Sequence, residues 1–202
     1  TGFVPINQTV LAPDYSYGQP ATNPQYFDGR NHTITGLTIK SSGPRVGLFE
    51  SVSPLTTVKN LKIKNANIVG ENLVYAYTGT VSATIDGTLE NVEVSSANIS
   101  TKNSSGSTGG LVGSNYGHII RSSTTGTINK DVGQSGNLGG LVGSNYEGTI
   151  DNSFSTMDIF EGGTAKWNDC GGLVGTMNSG SINHSYATGR MYCTTTIYSK
   201  AG

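Results

Sequence analysis

The pentapeptide Gly-Gly-Leu-Val-Gly occurs three times in 202 residues, at Gly109–Gly113, Gly139–Gly143 and Gly171–Gly175. A chain that repeats itself at a fixed interval gives each copy the same local structure. Each copy must then bury its apolar face against its neighbours, which is the logic of a solenoid. Weaker copies, Val46-Gly47-Leu48-Phe49 and Thr78-Gly79-Thr80-Val81, fit the same frame upstream. Setting Gly47, Gly79, Gly110, Gly140 and Gly172 in one column gives steps of 32, 31, 30 and 32 residues.

Within each period a second set of apolar positions recurs: Val58/Leu61/Ile63, Leu89/Val92/Val94, Ile119/Ser122/Thr124, Ile150/Ser153/Ser155 and Ile182/Ser185/Ala187. Intervening residues point outward, as the two-residue period of a strand demands. A third site follows at Ile68, Ile99, Ile128, Ile159 and Met191. Three short strands per period, bent at Gly and Asn, describe a three-sided coil. The expected fold is therefore all-β, a right-handed parallel β-helix of 30–32 residues per coil. Stacked coils rise by ~4.8 Å, so five make a rod of roughly 25 Å. Residues 1–40 read as an N-terminal opening coil and 41–202 as the repeats proper.

Composition agrees. Glycine is abundant at 29 residues, charged residues are only 12%, and Ser, Thr, Asn, Ile and Val suit short strands and tight turns. A net charge of −1 without basic runs argues against nucleic acid or anionic membrane as a partner. No apolar stretch approaches the ~18–20 residues that span a bilayer.

The register also makes claims about side chains. Lys59 and Lys62 sit one coil below Glu90 and Glu93 and should pair with them across the ladder, which makes Lys59, Lys62 and Lys64 a solvated strand face rather than a binding patch. Asn60, Asn91 and Asn152 align at a turn with Arg121 and His184, where asparagine tolerates left-handed backbone.

Gly-Gly-Leu-Val-Gly followed by Gly-x-Ile and a Ser/Asn-rich strand resembles the GLUG motif of bacterial surface proteins, notably filamentous-haemagglutinin-like adhesins and the non-catalytic regions of M26-type immunoglobulin A1 proteases. Phe3-Val4-Pro5-Ile6 and the run Phe27 to Ile39 look like the opening coil that precedes such repeats. The resemblance implies export and a non-catalytic module of a secreted or surface-anchored protein, adhesive or spacing. Alternatives are an accessory, substrate-positioning region of an immunoglobulin A1-type metalloprotease, or a carbohydrate-active β-helix enzyme. Host glycoprotein or glycan is the implied partner, together with the rest of a longer chain. Ala201-Gly202 falls where the next glycine pair is due, so the chain reads as an excised piece of a larger repeat array.

No catalytic residue, cofactor site or metal site is transferred by the resemblance. A His-Glu-x-x-His zinc motif is absent, and His32, His118 and His184 are isolated. The set an enzyme of this fold would use here is Asp151, Asp158, His184 and Arg190, but Asp158 stacks below Arg190 and reads more simply as an ion pair. Tyr116 and Tyr146 share one repeat position and should stack. They form either a platform for a sugar or adhesive contact, or an aromatic ladder that stiffens the turn, the simpler reading. A disulfide between Cys170 and Cys193 suits an exported protein, while an alignment that sets Cys170 over Lys200 leaves the pairing open. Trp167 reads as a cover for core in the loop before Cys170. Asn-x-Ser/Thr triplets at Asn7, Asn31, Asn98, Asn103 and Asn183 are what chance supplies in so Asn-, Ser- and Thr-rich a chain.

Overall fold

A computed structural model describes residues 24–71, 75–102, 105–131, 136–162, 168–193 and 199–201. These residues form strands, turns and bends but no helix, and every strand pairing is parallel. Three sheets run along the molecule; each coil gives one segment to the leading and middle sheets and one to three to the long sheet. In the third coil the chain runs through Gly106–Gly109 of a leading sheet and Val112–Asn115 of a middle sheet. It then enters a long sheet through His118–Ile120 and Ser123–Lys130. The whole is a β-solenoid of about five turns. The described part of the opening segment supplies the first rung of the long sheet, Gln25 pairing with Thr56 and Ile39 with Ile68.

Pairing registers put the inward rows where the repeat places them. Phe27, Val58, Leu89, Ile119, Ile150 and Ile182 form one row, and Ile39, Ile68, Ile99, Ile128, Ile159 and Met191 another. Between them the core changes character. Leu61 and Val92 give way to Ser122, Ser153 and Ser185, which are ordered by their own hydrogen bonds. Each serine hydroxyl donates to the carbonyl two residues back and accepts the backbone N–H one coil below, at 3.0–3.2 Å for that second bond. A buried hydroxyl without such partners would cost about 1–3 kcal/mol, so the polar row is stable only because both bonds are made.

The glycine motif is explained by space. Gly109, Gly110, Gly139, Gly140 and Gly143 lie outside the left-handed region, so their φ angles do not require glycine. A β-carbon on Gly140 would fall 2.0 Å from the Gly172 carbonyl oxygen and 2.3 Å from Ser155 Oγ. One on Gly143 would meet the Thr108 nitrogen at 2.6 Å. The leading and middle sheets are thus brought backbone to backbone by residues with no side chain. One detail differs from the simple alignment: Gly79 pairs with Gly109, not Gly110, and Phe49 with Ser82, not Val81, because the first coil is one residue shorter than the next two between its leading and middle strands.

Corner residues confirm the turn reading. Asn60, Asn91, Arg121, Asn152 and His184 all have φ between 48° and 53°. After the middle strand, Asn115 and Asn145 are fully buried. Asn145 accepts from the Asn115 amide at 2.6 Å and donates to the carbonyls of Gly148 and Ser179 at 2.9 and 2.7 Å. The corresponding upstream residues are Val52 and Ile85, which fill the row without hydrogen bonds. Asn145→Ala should therefore cost about 2 kcal/mol in chemical denaturation, because it strands the buried Asn115 amide. An unchanged midpoint would show that the ladder is not structural.

Outside, five ion pairs join neighbouring coils among the described residues, including Lys40–Glu71 at 3.0 Å and Lys62–Glu93 at 3.4 Å. Such exposed pairs contribute about 0–1 kcal/mol each. The expected Lys59–Glu90 pair does not form, although the two residues are in register. Glu90 is taken by Arg121 from the coil above, whose guanidinium Nη2 donates to Oε1 of the carboxylate. Lys59 lies over the Tyr26 ring instead, 5.7 Å from its centroid.

Candidate functional site

The four residues an enzyme of this fold would use fall into two separate pairs. His184 Nδ1 lies 3.1 Å from Asp151 Oδ1. Arg190 donates to Asp158 from its backbone N–H at 2.9 Å and from its guanidinium at 3.1 and 2.5 Å. Those bonds hold the Asp158 carboxyl below its ordinary value, so it stays ionised at neutral pH and cannot serve as a proton donor there. No group of three or more His, Cys, Asp or Glu suited to a metal occurs among the described residues.

The tyrosine position has more to offer. Tyr116 and Tyr146 stack with ring centroids 4.9 Å apart and planes 5° from parallel. They sit in the turn that leaves the middle sheet, and Tyr116 is 41% exposed. A third tyrosine, not singled out by the repeat, joins them. Tyr77 stands on the leading strand Tyr77–Gly79 and packs by its Cβ against the space left by Gly113. Burial raises the phenol pKa of both stacked tyrosines, and a hydrogen bond with Tyr77 adds to the rise at Tyr146. Tyr116 and Tyr146 are thus neutral, protonated phenols at physiological pH, able to donate and to accept.

From Tyr77 the surface continues into a cleft of about 440 Å³ lined by Pro44, Arg45, Glu50, Tyr75 and Tyr77, with the Ser41–Gly43 turn beside them. Tyr75 projects at 68% exposure from a left-handed backbone position, φ 60°. Arg45 pairs in register with Tyr77, one coil apart. Among the described residues neither Arg45 nor Glu50 belongs to an ion pair. Arg45 also faces Asp86, whose carboxyl is raised by desolvation and lowered in turn by that arginine.

Two further aromatic pairs escaped the sequence reading. Phe154 stacks on Tyr186 and Phe160 on Tyr192, each at 5.3 Å, on the outer face of the long sheet. The signal was available: both pairs are offset by 32 residues, the local coil length. Also missed was Lys130, which is buried beneath Glu161 in the next coil.

Cys170 and Cys193 are joined in a disulfide with Cα atoms 6.6 Å apart. The strand partner of Cys170 is Ala201, not Lys200, and the bond instead runs inward across the coil from the leading sheet to the long sheet. By chain-entropy reasoning a 23-residue closure stabilises by about 3 kcal/mol. Reduction should therefore increase amide exchange in residues 168–193 while leaving coils below Asn115 protected; uniform loss of protection would show that the bond acts globally. Of the remaining residues singled out, Asn31, Asn98 and Asn183 are exposed, while Trp167, Asn7 and Asn103 lie outside the described residues.

Comparison with known proteins bears on the repeat. A family profile described as the GLUG motif matches residues 134–159, the stretch that holds the second Gly-Gly-Leu-Val-Gly, Tyr146 and the strand to Ile159. Residues 134–159 thus carry a GLUG motif. Over 88 residues, 43% of its length, the chain is 39% identical to halomucin of Haloquadratum walsbyi, and the match spans 1% of that protein. No solved structure matches. The GLUG glycines, Ser144-Asn145 and Ile150 are all accounted for by packing. The motif thus specifies a coil and leaves its outer surface open to variation.

Proposed function

We propose that this GLUG region is a non-catalytic module of a secreted or cell-surface protein, and that it works by holding an adhesive face on a stiff rod. The observation that carries this reading is the contrast between its two kinds of surface. On the long sheet most charges are paired coil by coil, with Lys40–Glu71, Lys62–Glu93, Lys102–Asp131 and Arg190–Asp158 all closed. Where the leading and middle sheets meet the turn, tyrosines and unpaired charges gather around a cleft. An interaction surface of this kind is rich in arginine and in exposed tyrosine, which carries large contact area at little entropic cost.

Export is supported by the disulfide, a bond that persists in oxidising surroundings, and by the likeness to halomucin. A longer parent chain fits a match that covers 1% of that relative. A host glycoprotein or glycan is the partner this face suits. Beads coated with the 202-residue chain should be retained on glass carrying mucin or immunoglobulin A, above the level of albumin-coated beads. Retention no better than albumin would reduce the module to a spacer.

A further inference from the structure

We propose that the cleft between Arg45, Glu50, Tyr75 and Tyr77 is a saccharide-binding site that takes a neutral sugar. The inference rests on the surface-module reading and gives its adhesive face a ligand class. Four observations carry it. The cleft, at about 440 Å³, lies within the roughly 300–1,000 Å³ of small-molecule sites. Its wall presents an exposed tyrosine, Tyr75, and a half-buried one, Tyr77, whose ring faces are electron-rich. A pyranose ring offers a face of C–H groups with slightly positive hydrogens, the natural complement to such a ring.

The third observation is the pairing of charges. Arg45 only donates and Glu50 only accepts, so together they match the vicinal hydroxyls of a sugar, each of which does both. Their rows explain why both remain open to a ligand. The Arg45 row continues as Tyr77, Ser107 and Asn137, and Gly143, opposite Ser107, lies in the middle-sheet row that Glu50 opens. One coil away, where Lys62 meets Glu93 and Arg190 meets Asp158, Arg45 has Tyr77 and Glu50 has Ala83, so neither finds a counter-charge along its row.

The fourth is the balance of charge, which selects the ligand. One cation beside Glu50 and Asp86 leaves the neighbourhood slightly acidic, unsuited to phosphates or nucleotides. The exposed polar rim is unsuited to lipid. Beyond Tyr77 the stacked Tyr116 and Tyr146 extend the aromatic surface, so an oligosaccharide has more to cover than a single sugar.

The test uses the purified 202-residue chain with lactose, chitobiose, cellobiose and xylobiose, read by saturation-transfer NMR and titration calorimetry. At least one should bind with a Kd of about 1 mM or tighter. Tyr75→Asn keeps a residue that tolerates the left-handed backbone, and Glu50→Gln removes the charge but keeps the shape. Each should weaken binding by about tenfold or more, with circular dichroism unchanged. Arg45→Gln, at an exposed position, repeats the test should Glu50→Gln misfold. Tyr192→Ala, on the outer face of the long sheet, should leave binding unchanged.

Absence of binding to all four sugars would overturn the proposal, as would binding that Tyr75→Asn and Glu50→Gln leave within twofold. Bead retention that survives Tyr75→Asn and Glu50→Gln would also overturn the cleft, yet leave the adhesive-module reading standing.

Discussion

Gly140→Ala should unfold more of this molecule than its single added methyl suggests, with an expected loss of about 3 kcal/mol. The new β-carbon would lie 2.0 Å from the Gly172 carbonyl oxygen and 2.3 Å from Ser155 Oγ. Backbone one coil above cannot retreat without lengthening the bonds from Gly140 N–H to Gly171 O and from Leu141 N–H to Leu173 O, both near 3 Å. The same change at Gly172, in the last glycine copy, supplies the control. There the added carbon meets only the Ala187 side chain at 3.0 Å, and the cost should stay below about 1 kcal/mol. Urea denaturation of the two variants decides the matter. Equal losses would mean that the motif is chosen for backbone freedom and not for space, since neither glycine has a left-handed φ.

Lys130 is expected to give the largest pH effect. It is 4% exposed, faces Glu161 in the neighbouring rung, and has its ammonium against the backbone of Gly136. Burial lowers its pKa from 10.5 to about 8, with Glu161 pulling the other way. Folding must therefore overcome the cost of burying a charge at every pH below about 8. Between pH 8 and 10.5 the unfolded chain holds more protons than the folded one, so stability rises with pH across that window. The full lowering corresponds to about 3 kcal/mol. Thermal melts from pH 7.5 to 10 should show this rise, and Lys130→Met should abolish it.

The substitution has a second, opposite consequence. Lys130→Met removes the cation that faces buried Glu161, which works against the gain from no longer burying the ammonium. Replacing both, Lys130→Met with Glu161→Leu, should return stability to within about 1 kcal/mol of the original or improve on it. A double variant as unstable as the single one would show that the pair serves the fold in some way other than mutual compensation.

How far these residues were legible beforehand depends on the kind of information each requires. Lys62 and Glu93 were predictable from an offset of 31 alone, because a parallel rung places equivalent positions side by side. The same offset joins Lys59 to Glu90 and led to an ion pair that does not form. Register determines which residues are neighbours but not which of two neighbouring cations captures a carboxylate, and Arg121 has the longer, forked reach. Tyr116 and Tyr146 were found because the motif marks their position. Tyr77 was not, because it lies on a different strand and approaches them only through the closeness of the two sheets.

The cleft itself is the clearest case of something the linear repeat hides. Arg45 and Glu50 are five residues apart on consecutive strands, and Tyr75 and Tyr77 belong to the next coil. Only the fold of one coil against another brings them around a single space.

The sequence by itself determined the solenoid. A repeated glycine pentapeptide, a two-residue alternation and a constant step leave one arrangement in which every apolar row is buried and every backbone group is paired. It also determined the corners, since five aligned turn residues share one left-handed conformation. Tertiary structure alone decided which residues meet across sheets: the inward disulfide between Cys170 and Cys193, the buried Lys130 beside Glu161, and the tyrosine cleft. The physical reason is that contacts along the axis repeat with the period and are written in the spacing. Contacts across the coil depend instead on how closely the sheets approach, which is set by the volume of every side chain between them.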